Sequence, residues 1–198
     1  MAPNHDIDST GLVTPDAESV SGLSSSQISE LIATAYHEAG HAVMAAILGR
    51  NIQKVTIKAG QIQTGGVRLG VCELASGRRR ASNDALQDEV LILLAGMVAE
   101  AKFTGRYCKL GASQDLRHVA SLLHERGGNE KQAERLQRRM LDKAEHLLNV
   151  PAHWQAITLV AKELIERKAI SGRSVRHFVS QSLSRRERAG KPTEGHSA

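Results

Sequence analysis

Aromatic side chains are nearly missing from this chain: two Phe, two Tyr and one Trp make up 3 % of its 198 residues. A core built without rings has to be aliphatic, which predicts close packing of helices through Ala, Val, Ile and Leu. The same scarcity argues against a nucleic-acid surface, where bases stack on aromatic faces. Despite the net charge of +5, Arg78, Arg79, Arg80 and the polar basic tail, residues 185–198, therefore read as solvated charge. Cysteine is also scarce. Cys72 and Cys108 belong to no C-x-x-C pair, and they read as reduced thiols of a cytoplasmic protein rather than as zinc ligands. Long apolar runs are lacking too. The longest, Val90 to Ala99, is closed by Glu100 and has about half the roughly 20 residues that a membrane span needs. The segment from Met1 to Asp6 has no basic start and no apolar stretch, so no secretory signal is expected. Nor is there a G-x-x-x-x-G-K-[ST] loop, so the chain is expected to carry no ATP site.

What is present is His37-Glu38-Ala39-Gly40-His41, an H-E-x-x-H sequence. On a helix, positions i and i+4 share a face, so the two imidazoles can grip one metal ion. Glu38 can then handle the proton of an activated water, as peptide hydrolysis requires. The context supports a buried helix. Between Leu31 and Gly49 there is no Lys, Arg, Asp, Asn or Gln, and the segment is apolar nearly all round from about Ala35. Two histidines and a glutamate buried there need partners, because an unpaired buried charge is costly. A metal ion answers all three.

The surrounding pattern predicts a mainly α chain with a small β-sheet or hairpin, an α+β class. Residues 1–25 form an acidic leader without Lys or Arg and are expected to be disordered. Ser24, Ser25 and Ser26 can cap the motif helix, which Gly49 ends. Strands are expected over 54–58 and 67–74. Asp84 with Gln87 suggests a capping box for a helix to about Phe103, closed by Gly105. Ser113 can cap a further helix to about Glu125, before Gly127 and Gly128. Helices over 130–148, from Pro151 to about Lys168, and over 172–183 complete the chain.

A catalytic zinc site takes three protein ligands and keeps one position open. No Gly and further His follow the motif at metzincin spacing, and no Asp or Glu occurs from Ala42 to Cys72, which removes a thermolysin-like arrangement. Glu73, Asp84, Asp88, Glu89, Glu100, Asp115, His118 and His124 all remain open as the third ligand on this reading.

Ala35 to Val43, with the motif inside it, resembles the start of the peptidase domain of the FtsH family of AAA+ zinc metalloproteases. Leu94-Ala95-Gly96-Met97-Val98-Ala99-Glu100-Ala101 resembles that family's apolar helix with its glutamate. Gly111-Ala112-Ser113-Gln114-Asp115-Leu116 resembles its G-A-S-x-D-L segment, and Ile170-Ser171-Gly172 its C-terminal helical end. The resemblance runs in order from about Ser26 to Leu183. It implies an FtsH-type helical peptidase domain over 26–184, one Zn2+ per chain held by His37, His41 and Asp115, Glu38 as catalytic base, and Glu100 supporting the site from behind. It also implies a substrate strand over 64–71, with Gly66, Val67, Arg68 and Leu69 at its centre. His118 does not match the family pattern and reads as helix surface.

The expected function is a zinc-dependent endopeptidase acting on extended or unfolded polypeptides. With no phosphate loop of its own, it would cut peptides alone or borrow a separate ATPase as unfoldase, and a homo-oligomer is possible by analogy with the family. The alternative is an inactive, metal-stabilised module of the same fold that binds a peptide or protein.

Overall fold

The computed structural model describes residues 24–58, 60–61, 67–68, 70–78, 81–108, 111–126 and 129–189. Most of the leader, the end of the basic tail, Arg79 and Arg80 of the arginine run, and Gly127 and Gly128 lie outside the described residues.

The first helix, α1 (Ser25–Ile47), begins at a reciprocal cap. Ser24 Oγ accepts from Gln27 N at 3.3 Å, and Gln27 Oε1 accepts from Ser24 N at 2.9 Å. A cap of this kind stabilises a helix by about 1 kcal/mol. Burial sets in at Ala35 and holds through Ala45 except at Tyr36. The next helix, α2 (Ala85–Thr104), is apolar on most faces and packs on α1. A Cβ at Gly40 would lie 2.4 Å from Ala95 O and 2.7 Å from Ala99 Cβ. Glycine in mid-helix costs about 1 kcal/mol against alanine, and here that cost permits the close crossing of α1 over α2. Three more helices, α3 (Ser113–Glu125), α4 (Glu130–Asn149) and α5 (Pro151–Arg167), surround this pair, and α6 (Gly172–Ala189) packs on α5.

A three-stranded antiparallel sheet covers one side. Its centre is β1 (Arg50–Thr56), between β4 (Val71–Arg78) and β5 (Ala169–Ser171). A separate two-stranded pair joins β2 (Gly60–Gln61) to β3 (Val67–Arg68). The architecture is thus mainly α with a small sheet, as the sequence pattern predicts.

Five local expectations are revised. The strand expected over 67–74 is two strands, β3 and β4, parted at Gly70. The three-residue β5 was not expected. It is placed by Lys168, in the left-handed region at φ 63°, whose carbonyl accepts from Ile57 N at 2.9 Å and Thr56 Oγ1 at 3.0 Å. Gln87 does not complete a box with the Asp84 backbone; Asp84 caps α2 alone, and the Gln87 amide oxygen accepts from Lys143 Nζ. The N-cap of α3 is Ala112, not Ser113, with Leu116 N bonded to Ala112 O at 2.9 Å. Further on, α6 continues to Ala189, beyond the expected end near Leu183.

Candidate functional site

Three helices deliver the site. His37, Glu38 and His41 project from the buried middle of α1 and are 9 %, 7 % and 7 % exposed. Glu100 comes from the last turns of α2, and Asp115 from the first turn of α3, where the helix dipole favours a carboxylate. Ligand atoms of His37, His41 and Asp115 all lie within 4.8 Å of one another. This is the grouping that the H-E-x-x-H spacing and the G-A-S-x-D-L resemblance together imply.

The orientation of each ring follows from its outer nitrogen. His41 Nδ1 lies 2.7 Å from Ile92 O. A carbonyl only accepts, so Nδ1 carries the hydrogen. His37 Nδ1 lies 2.9 Å from Glu100 Oε2, which accepts in the same way. Both Nε2 atoms then face Asp115 Oδ2, at 3.1 Å from His37 and 3.3 Å from His41. In the neutral rings those nitrogens are lone pairs, so three acceptors converge on one point. A cation between them resolves that arrangement. Two ligand atoms of a tetrahedral zinc with bonds of about 2.0–2.1 Å sit about 3.3 Å apart, so the donor set fits a metal ion of this kind.

A proton can play the same part. Burial opposes charging of His37, but the Asp115 and Glu100 carboxylates and nearby Glu38 outweigh it and raise its pKa to about 10. Burial likewise pushes Asp115 up, yet hydrogen bonds from His37 and His41 hold its carboxyl well below the usual carboxylate range.

Glycine makes the room. A Cβ at Gly96 would lie 2.4 Å from His41 Nε2 and 2.7 Å from His37 Nε2. A Cβ at Gly70 would lie 2.6 Å from Glu38 Oε1, so Glu38 packs directly on the chain entering β4. The site opens into a cleft of about 600 Å³. Among the described residues, the strand lining it is β4 with Gly70 just before it, through Gly70, Cys72 and Leu74. Those positions alternate, as residues on one face of a strand must.

Of the proposed substrate-strand residues, Val67 and Arg68 form β3 against Gln61 and Gly60. Gly66 and Leu69 lie outside the described residues. The other candidates for a third ligand are placed elsewhere. His118, His124 and Glu73 are exposed, Asp84 caps α2 and pairs with Arg126, Asp88 accepts from Ser82, and Glu89 pairs with Arg50. Cys72 and Cys108 are not joined in a disulfide; both lie on the cleft wall, and neither joins the group of His37, His41 and Asp115. Sequence reasoning missed the Ile92 carbonyl and the space at Gly96. The first has no side-chain signal at all; the second shows only as a glycine inside an apolar helix.

The family model for peptidase family M41 matches residues 25–126, the stretch from α1 through α3 that carries every residue of the site. The chain belongs to that family and is a metallopeptidase of the FtsH kind. No curated protein matches it. Among the described residues, no helix is long and apolar enough to cross a membrane.

Proposed function

We propose that this family M41 chain is a zinc-dependent endopeptidase that hydrolyses peptide bonds in extended or unfolded polypeptides. His37, His41 and Asp115 are its metal ligands and Glu38 its general base. The observation that carries this reading is the convergence of three acceptor atoms on one point, with both imidazoles locked from behind. A bound zinc ion supplies acidification of a water toward a pKa of about 7 and polarisation of the scissile carbonyl.

The protein's own groups do the rest. Glu38 stands beside His37 and faces the cleft. Its carboxylate takes a proton from the attacking water and returns it to the departing amine. Glu100 and Ile92 O fix the ring tautomers, which keeps both Nε2 atoms available. The backbone of β4, an edge strand of its sheet among the described residues, offers hydrogen-bonding groups that an extended substrate could meet as an added strand. A cleft that reads extended backbone needs unfolded chain, so folded substrates would require a separate ATPase acting as unfoldase.

The test is Glu38→Gln. Cleavage of an unstructured protein should be lost while one zinc per chain is retained. Full activity in that variant removes Glu38 from its role, and a chain that holds no zinc removes the reading altogether. Zinc binding by the unaltered chain without any cleavage would make it a metal-stabilised peptide-binding module instead.

A further inference from the structure

Most charged side chains in the cleft are already engaged. Asp115 and Glu100 hold His37, Glu89 is paired with Arg50 at 3.2 Å, and Glu38 packs on Gly70. Arg117 is different. It is the only Lys or Arg among the described residues that line the cleft, and it makes no ion pair with another described residue. Its place is two positions beyond Asp115 on α3, on the exposed side of the helix. Coulomb attraction would draw a guanidinium toward neighbouring carboxylates, but Asp115 and Glu100 face histidine rings, Glu89 faces Arg50, and Glu30 on α1 makes no ion pair with Arg117. The first turn of α3 has no side-chain cap, so the positive end of the helix adds to the charge of Arg117.

We propose that Arg117 is a specificity determinant of the cleft: it takes a carboxylate of the bound polypeptide. A planar guanidinium can hold a carboxylate through two parallel hydrogen bonds, which a neutral amide cannot match. The inference rests on the peptidase reading, since it makes the cleft a polypeptide site. The carboxylate comes either from an acidic side chain near the scissile bond or from a C-terminus lying there. Glu30, about two turns before His37 on α1, supplies an internal control. It also lines the cleft and has no ion pair with a described residue, so neutralising it makes the cleft more positive without altering Arg117.

The experiment measures peptide binding by fluorescence anisotropy to zinc-loaded Glu38→Gln protein, so that no turnover is needed. Labelled unstructured peptides differ at one position, Glu against Gln, each with a free or an amidated C-terminus. The peptide carrying the recognised carboxylate should bind about fivefold more tightly, the scale of an exposed charge-assisted pair. Whether the internal Glu or the free terminus brings the gain identifies the source. Adding Arg117→Gln should remove the preference, Arg117→Glu reverse it, and Arg117→Lys keep only part of it. Zinc stoichiometry and helix content, checked in each variant, should not change. The proposal is overturned if the parent does not discriminate, if the preference survives in Arg117→Gln, or if Glu30→Gln shifts it as much as Arg117→Gln does. Failure of the peptidase reading looks different: zinc-loaded protein with Glu38 intact would cut none of these peptides.

Discussion

Replacing Gly96 by alanine adds one methyl group at the place where the site has least room. That carbon would stand 2.4 Å from His41 Nε2, 2.6 Å from its Cε1 and 2.7 Å from His37 Nε2. An unstrained carbon contact is about 3.5 Å or longer, so the imidazoles and α2 must separate by about 1 Å. The rings have little freedom to yield. Each is tied at Nδ1, one to Glu100 and the other to Ile92 O, and both helices are packed in the core. Metal sites tolerate ligand displacements of only about 0.2 Å. Loss of an outer partner alone costs zinc sites about 10–100-fold in affinity, so displacing two ligands should cost at least about 100-fold. Stability should move much less. Overpacking destabilises by about 1–3 kcal/mol, against about 1 kcal/mol gained from alanine's helix propensity. The assay is a zinc titration against a competing chelator, with thermal unfolding of the chelator-treated protein alongside. A Gly96→Ala protein that bound zinc within threefold of the parent would refute this account of the site. So would a protein that simply failed to fold, since the expected stability loss is small.

Two further outcomes follow from the partners of His37. Glu100→Gln keeps the shape but makes the partner of Nδ1 neutral, and zinc affinity should fall about 10–100-fold; unchanged affinity in the same chelator competition would show that Glu100 does not orient the ring. In chelator-treated protein, NMR of the ring nuclei should find His37 still cationic at pH 8, with a midpoint near pH 10. A midpoint near the ordinary 6.5 would mean that the two carboxylates do not hold a proton there.

Local chemistry was the part of this fold most legible in the sequence. The Ser24 cap, the end of α1 at Gly49, the Asp84 and Gly105 ends of α2 and Pro151 at the start of α5 all depend on neighbours within a few residues. The long burial of α1 was legible because an apolar segment whose one charged side chain is Glu38 has nowhere else to go. What depends on distant partners was not. β5 is three residues long and exists because Val55 and its neighbours on β1 pair with Ile170 and its neighbours. No pattern within Ala169–Ser171 announces it. Asp115 could be singled out only by resemblance, since eight acids and histidines satisfied the spacing equally well. The carbonyl of Ile92 is backbone, identical in every residue type, so its role appears only once α1 lies against α2.

The arrangement also makes the site a clasp between helices. Both α1 and α3 pack on α2, and they scarcely touch each other elsewhere. The contact from His37 and His41 to Asp115 is therefore what fixes α3 against the motif helix, and whatever cation occupies it stabilises that docking. In metal-free protein the cation is a proton, and the sign of its effect can be worked out. The folded pKa of His37 is raised, so its contribution is complete below 6.5 and is lost as pH rises through about 10. That of Asp115 is lowered, so its contribution is present above 3.8 and is lost as pH falls through its folded value. A proton thus holds the clasp best between about pH 4 and 6.5. Zinc, on the proposed reading, would require the proton to leave His37 and so would take over toward the alkaline side, where the proton's hold weakens. On the zinc reading, the two carboxylates that make the apo site hold a proton would also place and support a divalent ion. One set of residues can therefore keep α3 docked before metal arrives and surrender the proton when it does.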